Sequence, residues 1–283
     1  MAHDIFFTKN FLRIQAAKEV GFTTVSLQGS SRSSKSYSVV QWLCTCCHNH
    51  AGTTVSIVRA GMPSIKRTIY RDFKTIMQNF GWWNPKAMNK SDFIYEFPNG
   101  SWLEFFSTDN EQKVRGSKRQ ILFVNEANEL DFLEWQQLQM RTTAFSIIDY
   151  NPSFSDDHWI CDINREAGTY WFISTYKDNP FLEDKVIKEI ESLKTKNPSL
   201  WRIYGLGQQS LVEGLVFKNN IHEVPEIPKW KRKHHYRGMD FGYTNDPTAI
   251  VDVYIDGDAL WIDELCYNTE MLSSDIIREL KEA

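Results

Sequence analysis

The strongest constraint on the fold is the stretch QGSSRSSKSYS, residues 28–38, together with the residues on either side of it. Residues 22–27, FTTVSL, are rich in β-branched and aromatic residues, which favours a strand. Residues 36–50 can continue as a helix. Backbone N–H groups converge where such a strand, loop and helix meet, and that arrangement binds anions. The sequence therefore predicts a phosphate-binding loop in an α/β fold.

The spacing inside the loop supports this interpretation. Gly29, four further residues, then Ser34, Lys35 and Ser36 match the pattern GxxxxGK[ST], except that serine replaces the second glycine. Ser34 costs about 1 kcal/mol if its backbone angle is strained. In this pattern the lysine reaches the β- and γ-phosphates and the hydroxyl binds Mg²⁺. The predicted nucleotide-binding residues are Gly29, Ser30, Ser31, Arg32, Ser33, Ser34, Lys35 and Ser36. The alternative is a serine-rich capping turn that happens to contain a lysine.

A second motif follows the apolar run ILFV, residues 121–124. Such a run predicts a strand buried on both faces, as in a parallel sheet with helices on each side. It ends in Asn125 and Glu126, where nucleotide-hydrolysing P-loop enzymes carry an acid for the Mg²⁺ shell and then a glutamate that activates water. We predict Glu126 as the general base. Asn125 can accept from a metal-bound water but adds no charge, so its role can shift to Ser36. Alternatively, Glu126 is an acid favoured by a helix N-terminus.

Strand and helix patterns alternate up to about residue 175, which predicts an α/β domain with a parallel-type sheet and helices on both faces. The predicted helices are 8–20, 36–50, 64–79 and 183–204. The predicted strands are 22–27, 53–60, a hairpin of 93–97 with 101–106, 121–124, 145–150 and 170–175. Glycines 205, 207 and 214 and prolines 225 and 228 indicate a connector. The expected domains are a P-loop ATPase at 1–208, with a helical subdomain from about 180, a connector at 209–234, and a further α/β segment at 235–283.

The charge and the cysteines limit other interpretations. The chain has 283 residues and a formal charge of −4, so a polyanion must be met by a local basic surface. It has no signal-like N-terminus and no apolar run of about 18 residues, so we expect a soluble cytosolic protein without membrane contact. CTCCH, residues 44–48, has the CxxCH spacing of c-type haem attachment. The alternative, which we favour, is a partly buried thiol face on the helix after the loop.

Several further motifs occur in a specific order. They are QGSSRSSKS, KVRGS (113–117), ILFVNEANEL, DYNPS, STYKDNPFL, WRIYGLGQ, EGLVF and RGMDFGYTNDPTAIV. This ordered set, from about residue 22 to 264, resembles the large terminase subunit of tailed bacteriophages and prophages. The resemblance implies an ATP- and Mg²⁺-dependent motor that packages double-stranded DNA into a procapsid, coupled to an RNase H-like nuclease. It also implies a portal protein and a small terminase subunit as partners, a homo-oligomeric ring, and action in the host bacterial cytoplasm and at the procapsid portal.

The resemblance also implies roles for single residues. Arg32 resembles the arginine near the γ-phosphate, and Asn151 resembles the motif that couples hydrolysis to movement. Arg115 resembles a second sensor or a cross-subunit finger. The alternatives are a solvated arginine at positions 32 and 115 and an ordinary Asn-Pro turn at 151.

The C-terminal motif resembles the first strand of the terminase nuclease, with Asp240 as the leading ligand of Mg²⁺ or Mn²⁺. Asp246 and Glu264 are weaker candidates. Because the family's remaining acids come further along the chain, we expect a truncated RNase H-like segment that does not cleave DNA alone. KWKRKHHYR, residues 229–237, is a candidate for DNA-backbone contact or a solvated linker.

Two other functions remain open at this point. One is a different P-loop motor, such as a helicase or recombination ATPase. The other is a nucleotide-binding scaffold without turnover, which Asn125 and Ser34 make conceivable.

Overall fold

A computed structural model of the chain divides into two compact units, Met1–Gly214 and Leu215–Ala283. The structure describes residues 5–109, 118–210, 224, 227, 235–242, 247–257, 259–269 and 271–282. Most of the predicted connector, together with Arg115 and Asp246, lies outside these ranges.

The first unit is built on an eight-stranded sheet. Its strands are β1 Thr24–Gly29, β2 Thr54–Arg59, β3 Met88–Asn89, β4 Ile94–Glu96, β5 Trp102–Ser107, β6 Arg119–Asn125, β7 Thr142–Tyr150 and β8 Thr169–Ser174. They lie in the order β3-β4-β5-β2-β6-β7-β1-β8. The six strands from β5 to β8 are parallel, and only β3 and β4 pair antiparallel. The predicted parallel-type α/β sheet is confirmed.

Eight α-helices accompany this sheet in the described part of the unit. They are α1 Lys9–Val20, α2 Lys35–Asn49, α3 Met62–Arg67, α4 Ile69–Asn79, α5 Phe132–Gln139, α6 Trp159–Arg165, α7 Asp184–Lys196 and α8 Pro198–Leu200. The single helix predicted at 64–79 is two helices, because Thr68 has φ −116° and ψ −89°. Sequence reasoning missed α5, although Asp131 and Glu134 form a capping box at its start. None of the helices within the described residues is long and apolar enough to cross a membrane.

Strand β6 shows why the helices must cover both faces of the sheet. Its side chains alternate between two hydrophobic clusters. Ile121 and Phe123 pack with the first cluster, which includes residues of α1 to α4. Leu122 and Val124 pack with the second, which includes residues of α5 and α6. All four side chains are buried, as the apolar run predicted.

The second unit contains a three-stranded antiparallel sheet in the order β11-β10-β9. Its elements are β9 His235–Asp240, β10 Thr248–Asp256, β11 Ala259–Asn268 and the helix α9 Ser273–Glu282. Arg237 donates two hydrogen bonds to Asp252, at 2.6 and 2.8 Å, and so ties β9 to β10. Ile250, Cys266 and Ile276 form a small core.

Candidate functional site

The loop between β1 and α2 is a tight turn with unusual backbone angles. Arg32 has φ 61° and Ser34 has φ 63°, in the left-handed region that favours glycine. Ser34 therefore adopts the strained angle that the sequence comparison with GxxxxGK[ST] anticipated. Two asparagine side chains hold the loop from outside, since Asn10 donates to the Ser33 carbonyl and Asn179 to the Arg32 carbonyl, each at 2.9 Å.

Lys35 points its ammonium group back into this loop. Its Nζ donates to the Ser30 carbonyl at 2.9 Å, to Ser33 Oγ at 3.4 Å and to Asn151 Oδ1 at 3.2 Å. Burial lowers the pKa of Lys35, and the negative charges of Asp149 and Glu126 oppose that shift. The lysine thus lies at the head of α2 as a buried cation next to two acids.

Glu126 follows β6 directly and has φ 53°. Burial and the neighbouring Asp149 raise its pKa to about 7, while Lys35 and Arg59 act in the opposite direction. Arg59, at the end of β2, is itself held by two hydrogen bonds to Glu129 at 2.9 and 3.0 Å. A carboxyl group with a pKa near neutrality is suited to accept a proton from water.

The two motifs meet in one pocket of about 310 Å³. It is lined by Ser30, Ser31, Arg32, Ser33, Ser34, Lys35, Ser36, Tyr37, Asp72, Glu126, Asn151 and Asn179. The strand before the loop, β1, and the strand before Glu126, β6, are not neighbours, because β7 lies between them. All three strands are parallel, so their carboxyl ends meet at one edge of the sheet. This edge brings Lys35, Glu126 and Asn151 together.

An acid that sequence reasoning missed lies at the centre of this edge. Asp149 is 1% exposed and pairs with Asn125 in the β6–β7 register. It accepts hydrogen bonds from Ser36 Oγ at 2.5 Å, from Asn125 Nδ2 at 2.9 Å and from the Glu126 backbone N–H at 2.9 Å. The sequence held a signal for Asp149, since this acid follows the strand-like stretch FSII just as Asn125 follows ILFV.

Gly207 is a second residue whose position only the structure gives. It has φ 63°, and its carbonyl accepts a hydrogen bond from Gln28 Nε2 at 2.8 Å. A Cβ atom at this position would lie 2.8 Å from the Ser30 nitrogen and 2.9 Å from Gly29 Cα. The glycine that looked like the start of a connector thus packs directly against the loop backbone.

A larger cavity of about 480 Å³ adjoins the loop at Ser34. Its lining is mostly apolar and includes Phe6, Phe80 and Phe181. The rings of Phe6 and Phe181 meet edge to face with centroids 5.1 Å apart. Both rings are more than half exposed, so they offer apolar surface next to the loop.

The thiols of the CTCCH motif belong to the core. Cys44 and Cys47 are fully buried on α2, and His48 stacks on Trp82 with centroids 3.7 Å apart. Burial raises the pKa of Cys46 to about 12. This arrangement fits the buried thiol face and leaves no open face for haem attachment.

The C-terminal candidates are spread over the second unit. Asp240 is the last residue of β9 and is exposed, and Glu264 is on β11 with β10 between the two strands. Asp246 and most of the basic stretch 229–237 are outside the described ranges. Among the residues that the structure describes, no group of three or more His, Cys, Asp or Glu side chains could hold a metal ion.

The family model described as phage terminase large subunit matches residues 23–208 of this chain. The large terminase subunit of Bacillus phage SPP1 is 24% identical over 275 residues, covering 88% of this chain and 65% of that protein. The PBSX phage terminase large subunit of Bacillus subtilis (strain 168) is 22% identical over 264 residues, covering 81% of this chain and 61% of that protein. The chain thus spans less than two thirds of the length of either relative.

The fold also matches solved structures. The large terminase of a thermophilic bacteriophage aligns with a TM-score of 0.64 at 16% identity, over 98% of this chain and 74% of that chain. The same terminase in complex with ADP aligns with a TM-score of 0.59 at 17% identity, over 98% and 73%. The likeness shows a shared fold, and the family model covers more than half of the sequence. The chain belongs to the phage terminase large subunit family.

Proposed function

We propose that this chain carries an ATP-hydrolysing motor that moves double-stranded DNA into a viral procapsid. The observation that carries the proposal is the single pocket shared by Lys35, Glu126 and Asn151 at the carboxyl edge of the sheet. The thermophilic phage terminase, which shares the fold, has been solved in complex with ADP. Family membership supports the same ligand class here.

In this proposal the phosphates of ATP occupy the loop 29–36. The Lys35 ammonium, now bonded to the Ser30 carbonyl and to Asn151, would turn to phosphate oxygens, because a buried cation interacts strongly with such charge. Arg32 lines the pocket with an exposed side chain and would add a second cation at the γ-phosphate. Asn151 would sense this change, since it contacts Lys35 at 3.2 Å.

Glu126 would activate the attacking water. Its raised pKa of about 7 means that the carboxylate form, which can accept a proton, gains population as the pH rises through neutrality.

The oxygen atoms beside the loop are suitable ligands for Mg²⁺. Hard divalent cations prefer oxygen ligands, and the Ser36 hydroxyl and the Asp149 carboxyl group both present oxygen atoms within 2.5 Å of each other. When bound, Mg²⁺ neutralises charge on the phosphates during transfer.

The base of ATP would occupy the apolar cavity next to Ser34. Aromatic side chains hold nucleobases by stacking, and Phe181 and Phe6 offer exposed rings there. No sequence motif predicted this part of the site.

We assign the motor to residues 1–208, with the helices from about 180 as its helical subdomain. Residues 235–283 would form the first part of an RNase H-like nuclease, with Asp240 as a ligand of Mg²⁺ or Mn²⁺. The partners would be double-stranded DNA, a portal protein, a small terminase subunit and further copies in a ring. The chain would act in the host bacterial cytoplasm and at the portal.

Phosphate release from ATP, with and without duplex DNA, tests the motor assignment. We expect turnover that Lys35→Ala and Glu126→Gln abolish, and ADP binding that Glu126→Gln retains. Lys90→Ala and Glu96→Gln are matched controls, because both side chains are exposed and neither lines the pocket. Equal phosphate release from all five proteins would remove the enzyme hypothesis.

A further inference from the structure

The acid nearest to the P-loop serine is on an unexpected strand. Strand β6, which Glu126 directly follows, presents Asn125 at its end. Asp149 lies beside it at the end of β7, in direct register. Because β7 is the strand between β6 and β1, its end lies between the end of β6 and the end of β1, where the loop begins.

The hydrogen bonds fix which way each group points. Asn125 Nδ2 donates to Asp149 Oδ1 at 2.9 Å and to Ser36 Oγ at 3.2 Å. A carboxylate can only accept, so the amide must turn its NH₂ group, not its oxygen, towards Asp149 and Ser36. Asn125 therefore offers a donor on the side where a cation would need an acceptor.

Asp149, in contrast to Asn125, presents acceptor oxygens on this side. Its Oδ2 accepts from Ser36 Oγ at 2.5 Å, and its Oδ1 is held by Asn125 and by the Glu126 backbone N–H. Oδ1 is thus fixed by two donors, while Oδ2 faces the serine hydroxyl alone among these contacts. A buried carboxyl group held in this way is positioned before any ligand arrives.

We propose that Asp149, on β7, is the carboxylate that holds the nucleotide-associated divalent cation in this chain, in place of the residue at position 125. This inference rests on the proposed nucleotide-binding function. Asn125 then acts as a positioning residue that orients Asp149, and Ser36 and Asp149 supply the oxygen atoms. The carboxylate would then come from the neighbouring strand at the same sheet edge.

The arrangement also connects two parts of the pocket through one short segment. Asp149 contacts Ser36, and Asn151, two residues later, contacts Lys35. The cation and the phosphate-binding lysine are therefore both in contact with the end of β7.

The test measures metal-dependent ADP binding by calorimetry, and Mn²⁺ binding in the presence of ADP by electron paramagnetic resonance. In the wild type, Mg²⁺ is expected to strengthen ADP binding. Asp149→Asn should reduce this metal-dependent gain by at least about tenfold. ADP affinity in EDTA should stay the same or rise, because a negative charge near the phosphates has been removed.

The exchange variant Asn125→Asp/Asp149→Asn provides a second arm. This variant places the carboxylate on β6 and the amide on β7. We therefore expect it to recover part of the Mn²⁺ binding that Asp149→Asn loses. Asp162→Asn is the matched control, since that acid lies on the exposed surface of α6 in an ion pair with Arg165. Thermal unfolding of each variant tests whether it is folded.

The outcomes distinguish a failure of the proposed nucleotide-binding function from a failure of the inference about Asp149. A wild type that binds ADP neither with nor without metal contradicts the proposed function and this inference with it. A wild type that responds to Mg²⁺, with an equal response in Asp149→Asn, overturns this inference alone. An Asp149→Asn variant that loses ADP affinity equally in Mg²⁺ and in EDTA also overturns it, because that result indicates a structural role.

Discussion

Replacing Gly207 with alanine tests whether the segment after α8 supports the proposed phosphate-binding loop. The new Cβ would lie 2.8 Å from the Ser30 nitrogen, 2.9 Å from Gly29 Cα and 3.0 Å from the Gly29 carbonyl carbon. All three are backbone atoms, so no side-chain rotation can relieve the overlap. Either the loop or the segment around Gly207 must move.

Two costs add at this position. Alanine in the left-handed region at φ 63° costs about 1–2 kcal/mol. Overpacking against a fixed backbone costs about 1–3 kcal/mol more. We therefore expect Gly207→Ala to lose about 2–5 kcal/mol of local or global stability, unless the loop rearranges to relieve the overlap.

Gly52 provides a control that separates the two costs. It has φ 70°, close to that of Gly207, and a Cβ built on it meets nothing within 4 Å. Gly52→Ala should therefore show only the backbone cost. The difference between the two variants, about 1–3 kcal/mol, measures the contact with the loop.

The assay is ADP affinity together with thermal unfolding. If the loop shifts to make room, the contact cost appears as weaker ADP binding, and 1 kcal/mol corresponds to about fivefold in Kd. If the loop stays in place, the cost appears as a lower Tm, by about 2–4 °C per kcal/mol for a unit of this size. Equal Kd and Tm values for Gly207→Ala and Gly52→Ala would refute the reasoning.

Four further predictions address other parts of the chain. Ser34→Gly should raise the free energy of unfolding by about 1 kcal/mol, because φ 63° suits glycine, and an unchanged or lower Tm would contradict this. Phe181→Ala should weaken ADP binding about tenfold through lost stacking, while Phe132→Ala, also exposed but absent from the cavity lining, should not; equal affinities would exclude the proposed base site. Cys46, whose pKa burial raises to about 12, should react with a thiol reagent at pH 8 only after unfolding, as mass spectrometry of labelled peptides can show. The hydrogen bond from Arg237 lowers the pKa of Asp252 to about 2. The stability that ionised Asp252 contributes is therefore complete above about pH 4 and is lost as the pH falls through 2. Hydrogen exchange of β9 and β10 between about pH 5 and 2 measures this loss, and Asp252→Asn should show a weaker pH dependence.

Local sequence patterns predicted most of the fold correctly. The loop, the helix after it and the parallel strands follow from glycine spacing, helical periodicity and apolar runs, which are properties of adjacent residues. The misassigned helix at 64–79 shows the limit of this approach. Residues around Thr68 keep a helical pattern, yet its backbone leaves the helical region and divides the helix into α3 and α4.

The candidate site was predictable only in part. Lys35 and Glu126 each follow a recognisable local pattern, so both could be named in advance. Asp149 could not be ranked above other strand-end acids, because its role depends on which strand lies between β1 and β6. Gly207 resembled a linker glycine until the structure placed it against the loop.

By itself the sequence determined that a loop with the spacing of a phosphate-binding loop joins a strand to a helix and that an acid follows a buried strand, since both features depend on neighbouring residues. Only the tertiary structure decided that β7 lies between those strands, that Asp149 contacts Ser36, and that an apolar cavity adjoins the loop. The physical reason is that strand order and side-chain contact across a sheet arise from packing between segments far apart in the chain, which no local periodicity encodes.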